Sequence, residues 1–221
     1  MATDIEALRE PLKSGAIDLS LALSETHIEQ LLTYLTLLAK WNAVYNLSAI
    51  RDPQQMLTQH LLDCLAALHA YVGALRVLDV GSGGGLPGIV LAIWAQQAAP
   101  QMQVHLIDTV QKKTAFLTQV KAELALSNAH IHTGRVEQLH DEKKFDVITS
   151  RAFADLKDFV NWSGHLLAEE GEMIALKGQA DVSDAELAAL PTGWRLEKME
   201  RLQVPGMTAQ RHLVVLKRQR A

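Results

Sequence analysis

The sequence predicts a doubly wound α/β fold, a seven-stranded and mostly parallel sheet with a helical extension at its N-terminus. Three observations predict it. Short β-branched runs alternate with helical patterns from Arg76 onward, and the strand-like "RVLDV" runs straight into the glycine-rich turn "GSGGGLPG". The last two strand patterns are joined by "VPGMTAQ", too short for a helical crossover. Alternating strands and helices bury a parallel sheet on both faces. A short connection instead forces an antiparallel hairpin, expected here at the sheet edge.

Each element follows from its local pattern. A helix is predicted from Ser24 to about Lys40, where Leu31, Leu32, Leu35 and Leu38 fall at helical spacing. A second runs from Pro53 to about Tyr71, with Leu57, Leu61, Leu65 and Leu68 repeating likewise, and the loop "WNAVYNLSAIRD" lies between the two. These helices form an extension over residues 1–72, expected to pack on a catalytic domain spanning residues 73–221. Strands are predicted at Arg76–Val80, Gln103–Ile107, Ala129–Thr133, Asp146–Thr149, Glu172–Leu176, about Arg195–Gln203 and His212–Lys217. The intervening helices fall near Leu86–Gln97, Lys112–Leu126, Val136–Leu139, Asp155–Leu167 and Ser183–Leu190.

Composition narrows the functional classes. With 221 residues, 48% hydrophobic and 21% charged, the chain is long enough for one substantial globular domain. It has no long uncharged apolar run, and its first residues, "MATDIEALREPLKSG", are charged where a signal peptide is apolar. A cytoplasmic protein without a membrane partner is expected, and no apolar stripe demands a dimer, so a monomer is expected. The single cysteine, Cys64, sits in the apolar pattern "HLLDCLAALHAY" and reads as helix packing rather than as a nucleophile. His130 and His132 share a strand face but lack a third ligand, so no metal is expected. The net charge is −4, yet residues 195–221 hold seven Lys/Arg against Glu197 and Glu200, a local balance of +5. That asymmetry suits either a phosphate-contacting end on an acidic body or a solvated basic tail.

The glycine turn reads in two registers. Gly83, Gly85 and Gly88 spell the dinucleotide pattern G-x-G-x-x-G, whereas Asp79, Gly81, Gly83 and Gly85 spell D-x-G-x-G-x-G, a methyltransferase pattern for S-adenosyl-L-methionine. The strand ends at Val80, which makes Gly81 the first turn glycine and puts Leu86 where a dinucleotide turn needs its third glycine. Asp79 at the strand end is awkward beside a pyrophosphate and is expected near the cationic methionine end of the methyl donor. The second strand, "VHLID", ends in Asp108, placed to accept hydrogen bonds from two ribose hydroxyls; its competing role is a helix cap.

The target atom is read by elimination. Ser150-Arg151-Ala152-Phe153 follows the fourth strand in place of the N-P-P-Y clamp used on exocyclic amines, and Cys64 lies outside the sheet, so carbon methylation lacks its nucleophile. A ring nitrogen with a free lone pair, such as guanine N7, needs neither. Two other readings stay open: a methyltransferase of this fold acting on a small molecule or protein, and a nucleotide-binding oxidoreductase or regulatory protein.

The motifs "NLSAIRD", "HLLDCL", "VLDVGSGGGLPGIVLAI", "LIDTVQKKTAFL", "GRVEQL", "FDVITSRAFADL", "ALKG" and "RHLVVLK" occur in that order over roughly residues 20 to 218. Together they resemble the bacterial 16S rRNA (guanine-N7)-methyltransferase G family, also called glucose-inhibited division protein B. The resemblance implies a class I, Rossmann-like enzyme that uses S-adenosyl-L-methionine to methylate N7 of guanine 527 in the 530 loop of 16S rRNA. Its RNA partner is then the small ribosomal subunit or a precursor. The resemblance also implies cofactor contacts at Gly81, Leu86, Val136, Glu137 and Arg151, to which the residue-level argument adds Gly83 and Asp108. It implies RNA substrate handling by Arg135 and Arg211, with Lys177 on the same rim at the end of the fifth strand. Asn46, Arg51, His60 and Asp63 are expected to pack over the cofactor mouth. The chain departs from the usual pattern at Cys64, often serine, and at Gly84, often proline or alanine.

Overall fold

The computed structural model describes residues 5–151, 153, 155–178 and 183–219. A 3-10 turn over Glu6–Leu8 leads into α1 (Arg9–Asp18). Helix α2 (Glu25–Tyr45) starts at a capping box: Ser24 Oγ accepts from the His27 amide and His27 Nδ1 accepts from the Ser24 amide. It runs five residues past the expected end at Lys40. Trp41 packs against Phe116, ring centroids 5.5 Å apart and tilted by 55°, and buried Asn42 pins the following loop, accepting from the Ser48 amide at 2.8 Å and donating to the Ile50 carbonyl at 3.0 Å.

The helix expected over Pro53–Tyr71 is not continuous. It comprises α3 (Pro53–Met56), a π-helical turn (Leu57–Leu62), α4 (Asp63–Ala66) and a 3-10 turn (Leu68–Tyr71). Residues 60–65 are all buried, so no solvent face holds the segment to a strict 3.6-residue period. The wide turn keeps Leu61 and Leu65 in the core while His60 and Asp63 face a cavity.

The rest is β1 (Arg76–Val80), α5 (Gly88–Ala98), β2 (Gln103–Asp108), α6 (Gln111–Glu123), β3 (Ala129–Thr133), β4 (Phe145–Arg151), α7 (Leu156–Ser163), β5 (Leu167–Lys177), α8 (Asp184–Ala188), β6 (Trp194–Leu202) and β7 (Arg211–Arg218). The seven strands lie in the order β3-β2-β1-β4-β5-β7-β6. The first five pair in parallel, and β7 runs antiparallel to both β5 and β6, with β6 at the edge. Helix α7 stops at Ser163, short of the expected Leu167, because Leu167 already pairs with Phe145 at the start of β5.

Neighbouring residues of β1 divide the core between the two faces. Val77 packs with α5, α6 and the N-terminal helices through Ile93, Phe116, Leu12, Leu35 and Leu65. Leu78 points the other way, to Phe159 and Val160 of α7. Strand order reverses at β1, the place where open α/β sheets bind ligands beyond their carboxyl ends. The antiparallel β7 brings its first residues to that same end: Arg151 is level with Leu176, and Lys177 with His212. No described helix is long and apolar enough to cross a membrane.

Candidate functional site

Two cavities open side by side at the carboxyl end of the sheet. The first, of about 340 Å³, is lined by Val80 and Gly81 after β1, Ile107 and Asp108 after β2, Val110 and Lys113 of α6, the 134–137 turn after β3, and the rings of Phe153 and Trp162. Gly81 has φ +67°, and a Cβ built there meets no protein atom within 4 Å, so that side of the loop faces open cavity. Any other residue would hold this left-handed backbone at a cost of about 1–2 kcal/mol and would fill the space.

Asp108 is tied to its surroundings through both carboxylate oxygens. Its Oδ2 accepts from the Gly83 amide at 2.9 Å and lies 3.4 Å from Lys113 Nζ, tying the glycine loop to β2. Its Oδ1 accepts from the Val110 amide at 2.9 Å, ordering the entry to α6. A carboxylate has about four acceptor positions, so both oxygens keep capacity toward the cavity they line.

Asp79 departs from expectation. It is completely buried, its Oδ2 accepts from the Gly88 amide at 2.9 Å at the start of α5, and its Oδ1 has no partner. Burial pushes its carboxyl up to about 7, against the pull of the Gly88 N–H and Arg151. It lines neither cavity, so it fixes the glycine loop from beneath rather than facing the methionine end of a ligand. Gly88 must be glycine for this contact, since a Cβ would stand 2.7 Å from Asp79 Oδ2 and 2.6 Å from Leu106 Cδ2.

The second cavity, of about 420 Å³, lies between the π-helical turn and the ends of β4, β5 and β7. Asp63 is at its centre: Arg151 Nη1 approaches Oδ2 and Arg211 Nε approaches Oδ1, each at 3.3 Å. Arg151 also donates to the Gln59 carbonyl at 2.8 Å. Burial and the charge of Arg151 push His60 down to about 4, so the ring is neutral near pH 7; its Nε2 is 2.9 Å from Ser48 Oγ. Burial raises the Asp63 carboxyl, opposed by its two arginines. Lys177 pairs with Glu186, which also accepts from the Leu156 amide at 3.1 Å.

The predicted residues therefore sort differently from the sequence reading. Gly81, Asp108, Val136 and Glu137 converge on the first cavity, as does Arg135, which was expected on the RNA side. Arg151, expected at the cofactor, lines the second cavity with Lys177 and Arg211. The register explains the exchange: Arg151 ends β4 level with Leu176 of β5, on the side away from β2 and β3. Gly83 donates its amide to Asp108, and Leu86 is buried in the core; neither lines either of these two cavities. His60 and Asp63 face the second cavity rather than the first, while Asn46 and Arg51 pair with each other at 2.6 Å outside both. Cys64 is buried, with its thiol pushed up by burial, and also lies outside both cavities.

Phe153 and Glu186 were missed. Phe153 lines both cavities, so the two share it as a wall. Its signal was an aromatic residue two positions past a strand-ending arginine; that of Glu186 was the Ser183-x-x-Glu186 capping pattern.

Residues 27–214 match the family model described as rRNA small subunit methyltransferase G, GidB. The chain is 64% identical over 98% of its length to "Ribosomal RNA small subunit methyltransferase G" of Herminiimonas arsenicoxydans, covering 99% of that protein. It is 63% identical, over 98% of both chains, to the protein of the same name from Janthinobacterium sp. (strain Marseille). Among solved structures it is similar in fold to TrmN from Thermus thermophilus (TM-score 0.53, 22% identity, 74% of this chain and 53% of that one). It is likewise similar to a SAM-dependent methyltransferase from Thiobacillus denitrificans in complex with S-adenosyl-L-homocysteine (TM-score 0.50, 14% identity, 72% of this chain and 90% of that one). On its two strand-end cavities, its sheet order and this kinship over nearly its whole length, the chain belongs to the rRNA small subunit methyltransferase G family.

Proposed function

We propose that this chain transfers a methyl group from S-adenosyl-L-methionine to N7 of guanine 527 in the 530 loop of 16S rRNA. The observation that carries the reading is the pair of adjoining cavities with Phe153 as their common wall. The first fits a nucleoside: Asp108 offers carboxylate acceptors for ribose hydroxyls, Gly81 leaves open space, and Val136 and Glu137 stand where an adenine ring needs an apolar side and an acceptor. When bound, S-adenosyl-L-methionine supplies a methyl group on a cationic sulfonium. The second cavity holds the base, with Arg151, Lys177 and Arg211 giving a positive lining that suits an RNA strand.

N7 fits this lining chemically. Its lone pair lies in the base plane and carries no proton, so the chain needs no general base. The charged side chains of the lining are already engaged, Asp63 by two arginines and Lys177 by Glu186. The residues hold and orient the base, and exclude water from it. The fit of the helices to the sheet supports reading residues 1–72 as an extension that builds one side of this base cavity on a methyltransferase domain of residues 73–221.

The test offers labelled methyl donor with naked 16S rRNA, a precursor particle and the mature small subunit, and maps the modified nucleotide. Label at guanine N7 in one of them is the expected result; its absence from all three rejects the target. Calorimetric titration should show binding of S-adenosyl-L-homocysteine, and binding of NAD alone would return the chain to the oxidoreductase reading.

A further inference from the structure

We infer that Asp63 is the specificity-determining residue of the base cavity, accepting hydrogen bonds from the N1–H and the exocyclic amine of the target guanine. The inference rests on the guanine-N7 reading above. On a guanine, N7 and the N1/N2 edge lie on opposite sides of the base. If N7 faces the cofactor cavity across Phe153, the N1/N2 edge points into the second cavity, among the residues contributed by the π-helical turn, β5 and β7.

Two adjacent donors on that edge call for an acceptor-only group. Among the described side chains that line the cavity, Asp63 alone is a carboxylate; the charged others, Arg151, Lys177 and Arg211, only donate. Its two ion pairs, each 3.3 Å, are longer than the 2.7–2.9 Å usual for charge-assisted bonds. They occupy one approach to each oxygen, and a carboxylate has about four, so both oxygens keep an acceptor position. The side chain is 7% exposed, and what exposure it has is toward this cavity. Burial raises its carboxyl, and the charges of Arg151 and Arg211 on either side oppose that rise.

Adenine also has an unprotonated N7, so a cavity that only grips phosphate and ring cannot tell the two purines apart. A buried acceptor matched to a substrate donor can, because the mismatched base leaves it unpaired.

The experiment compares guanine with inosine, which lacks only the exocyclic amine, at the target position of small subunits reconstituted with ligated 16S rRNA. The wild type is expected to prefer guanine by about tenfold in kcat/KM, the worth of one hydrogen bond to a charged group. Asp63→Asn should bring this ratio close to one while S-adenosyl-L-homocysteine affinity stays within about threefold. A residue that merely holds Arg151 and Arg211 in place would lower activity on both bases equally and leave the ratio untouched. Asp63→Glu keeps the carboxylate and should keep the guanine preference at reduced rate, and it decides the matter if the asparagine variant does not fold. An unchanged ratio in Asp63→Asn, or a ratio of one in Asp63→Glu, overturns the inference. Methylation of neither base by the wild type would instead reject the guanine-N7 reading beneath it.

Discussion

Asp79→Asn should make this protein more stable in mild alkali and change little in acid. The wild-type carboxylate has one oxygen bonded to the Gly88 amide and one with no partner, and its pKa is about 7 against an ordinary 3.8. Between those values the unfolded chain has given up the proton and the folded chain has not. A raised carboxyl therefore favours folding fully below the ordinary value and less as pH rises through 7. Each pKa unit is worth about 1.4 kcal/mol, so going from about pH 5 to about pH 8 costs the wild type about 3 kcal/mol at this site. Asparagine has no such dependence and keeps an oxygen for the Gly88 amide. Urea unfolding at the two pH values measures the gap between variant and wild type, which should widen by up to about 3 kcal/mol toward the higher pH. A gap that stays constant, or narrows, refutes the assignment of a buried and largely neutral acid beneath the glycine loop.

Further tests follow from other parts of the structure. Asp108→Ala removes the acceptors for Gly83 and Val110 along with the cavity carboxylate, and should weaken S-adenosyl-L-homocysteine about 10–100-fold by calorimetry. Arg211→Ala, in the second cavity, should lower methyl transfer while leaving that affinity within about threefold; a large loss of affinity would put Arg211 at the wrong ligand. Gly88→Ala forces a methyl group against Leu106 and Asp79 and should destabilise the fold by about 1–3 kcal/mol in the same urea assay. At the opposite end of β2, His105 stacks on His130 and His132, and burial with these neighbours pushes its pKa to about 3. A lowered histidine favours folding above its ordinary 6.5 and loses that as pH falls toward 3, so stability should drop by about 2 kcal/mol from pH 6.5 to about pH 5. His105→Leu should flatten this drop.

The parallel sheet, its terminal antiparallel hairpin and the register of the glycine turn were legible because each rests on local pattern. Alternation of Val77 and Leu78 across the sheet, the turn glycine at Gly81 and the acid at Asp108 are set by residues close in sequence. What escaped depends on pairing across the sheet. Nothing near Arg151 in sequence says that β5 and β7 lie beside it, so its place in the second cavity became visible only with the register of Arg151 against Leu176. The same holds for Arg135, carried toward the other cavity by β3 at the far edge of the sheet. The π-helical turn was hidden because Leu57, Leu61, Leu65 and Leu68 keep a helical spacing across it, so the leucine pattern carries no mark of the wider turn.

The Phe153 ring has a thermodynamic consequence for how the two cavities bind. Because it faces both cavities, a ligand that reorients the ring on entering one reshapes the other. Linkage then makes the coupling reciprocal: whatever factor a ligand in the second cavity contributes to affinity in the first, a ligand in the first contributes to affinity in the second. A single aromatic side chain thus joins two binding equilibria into one.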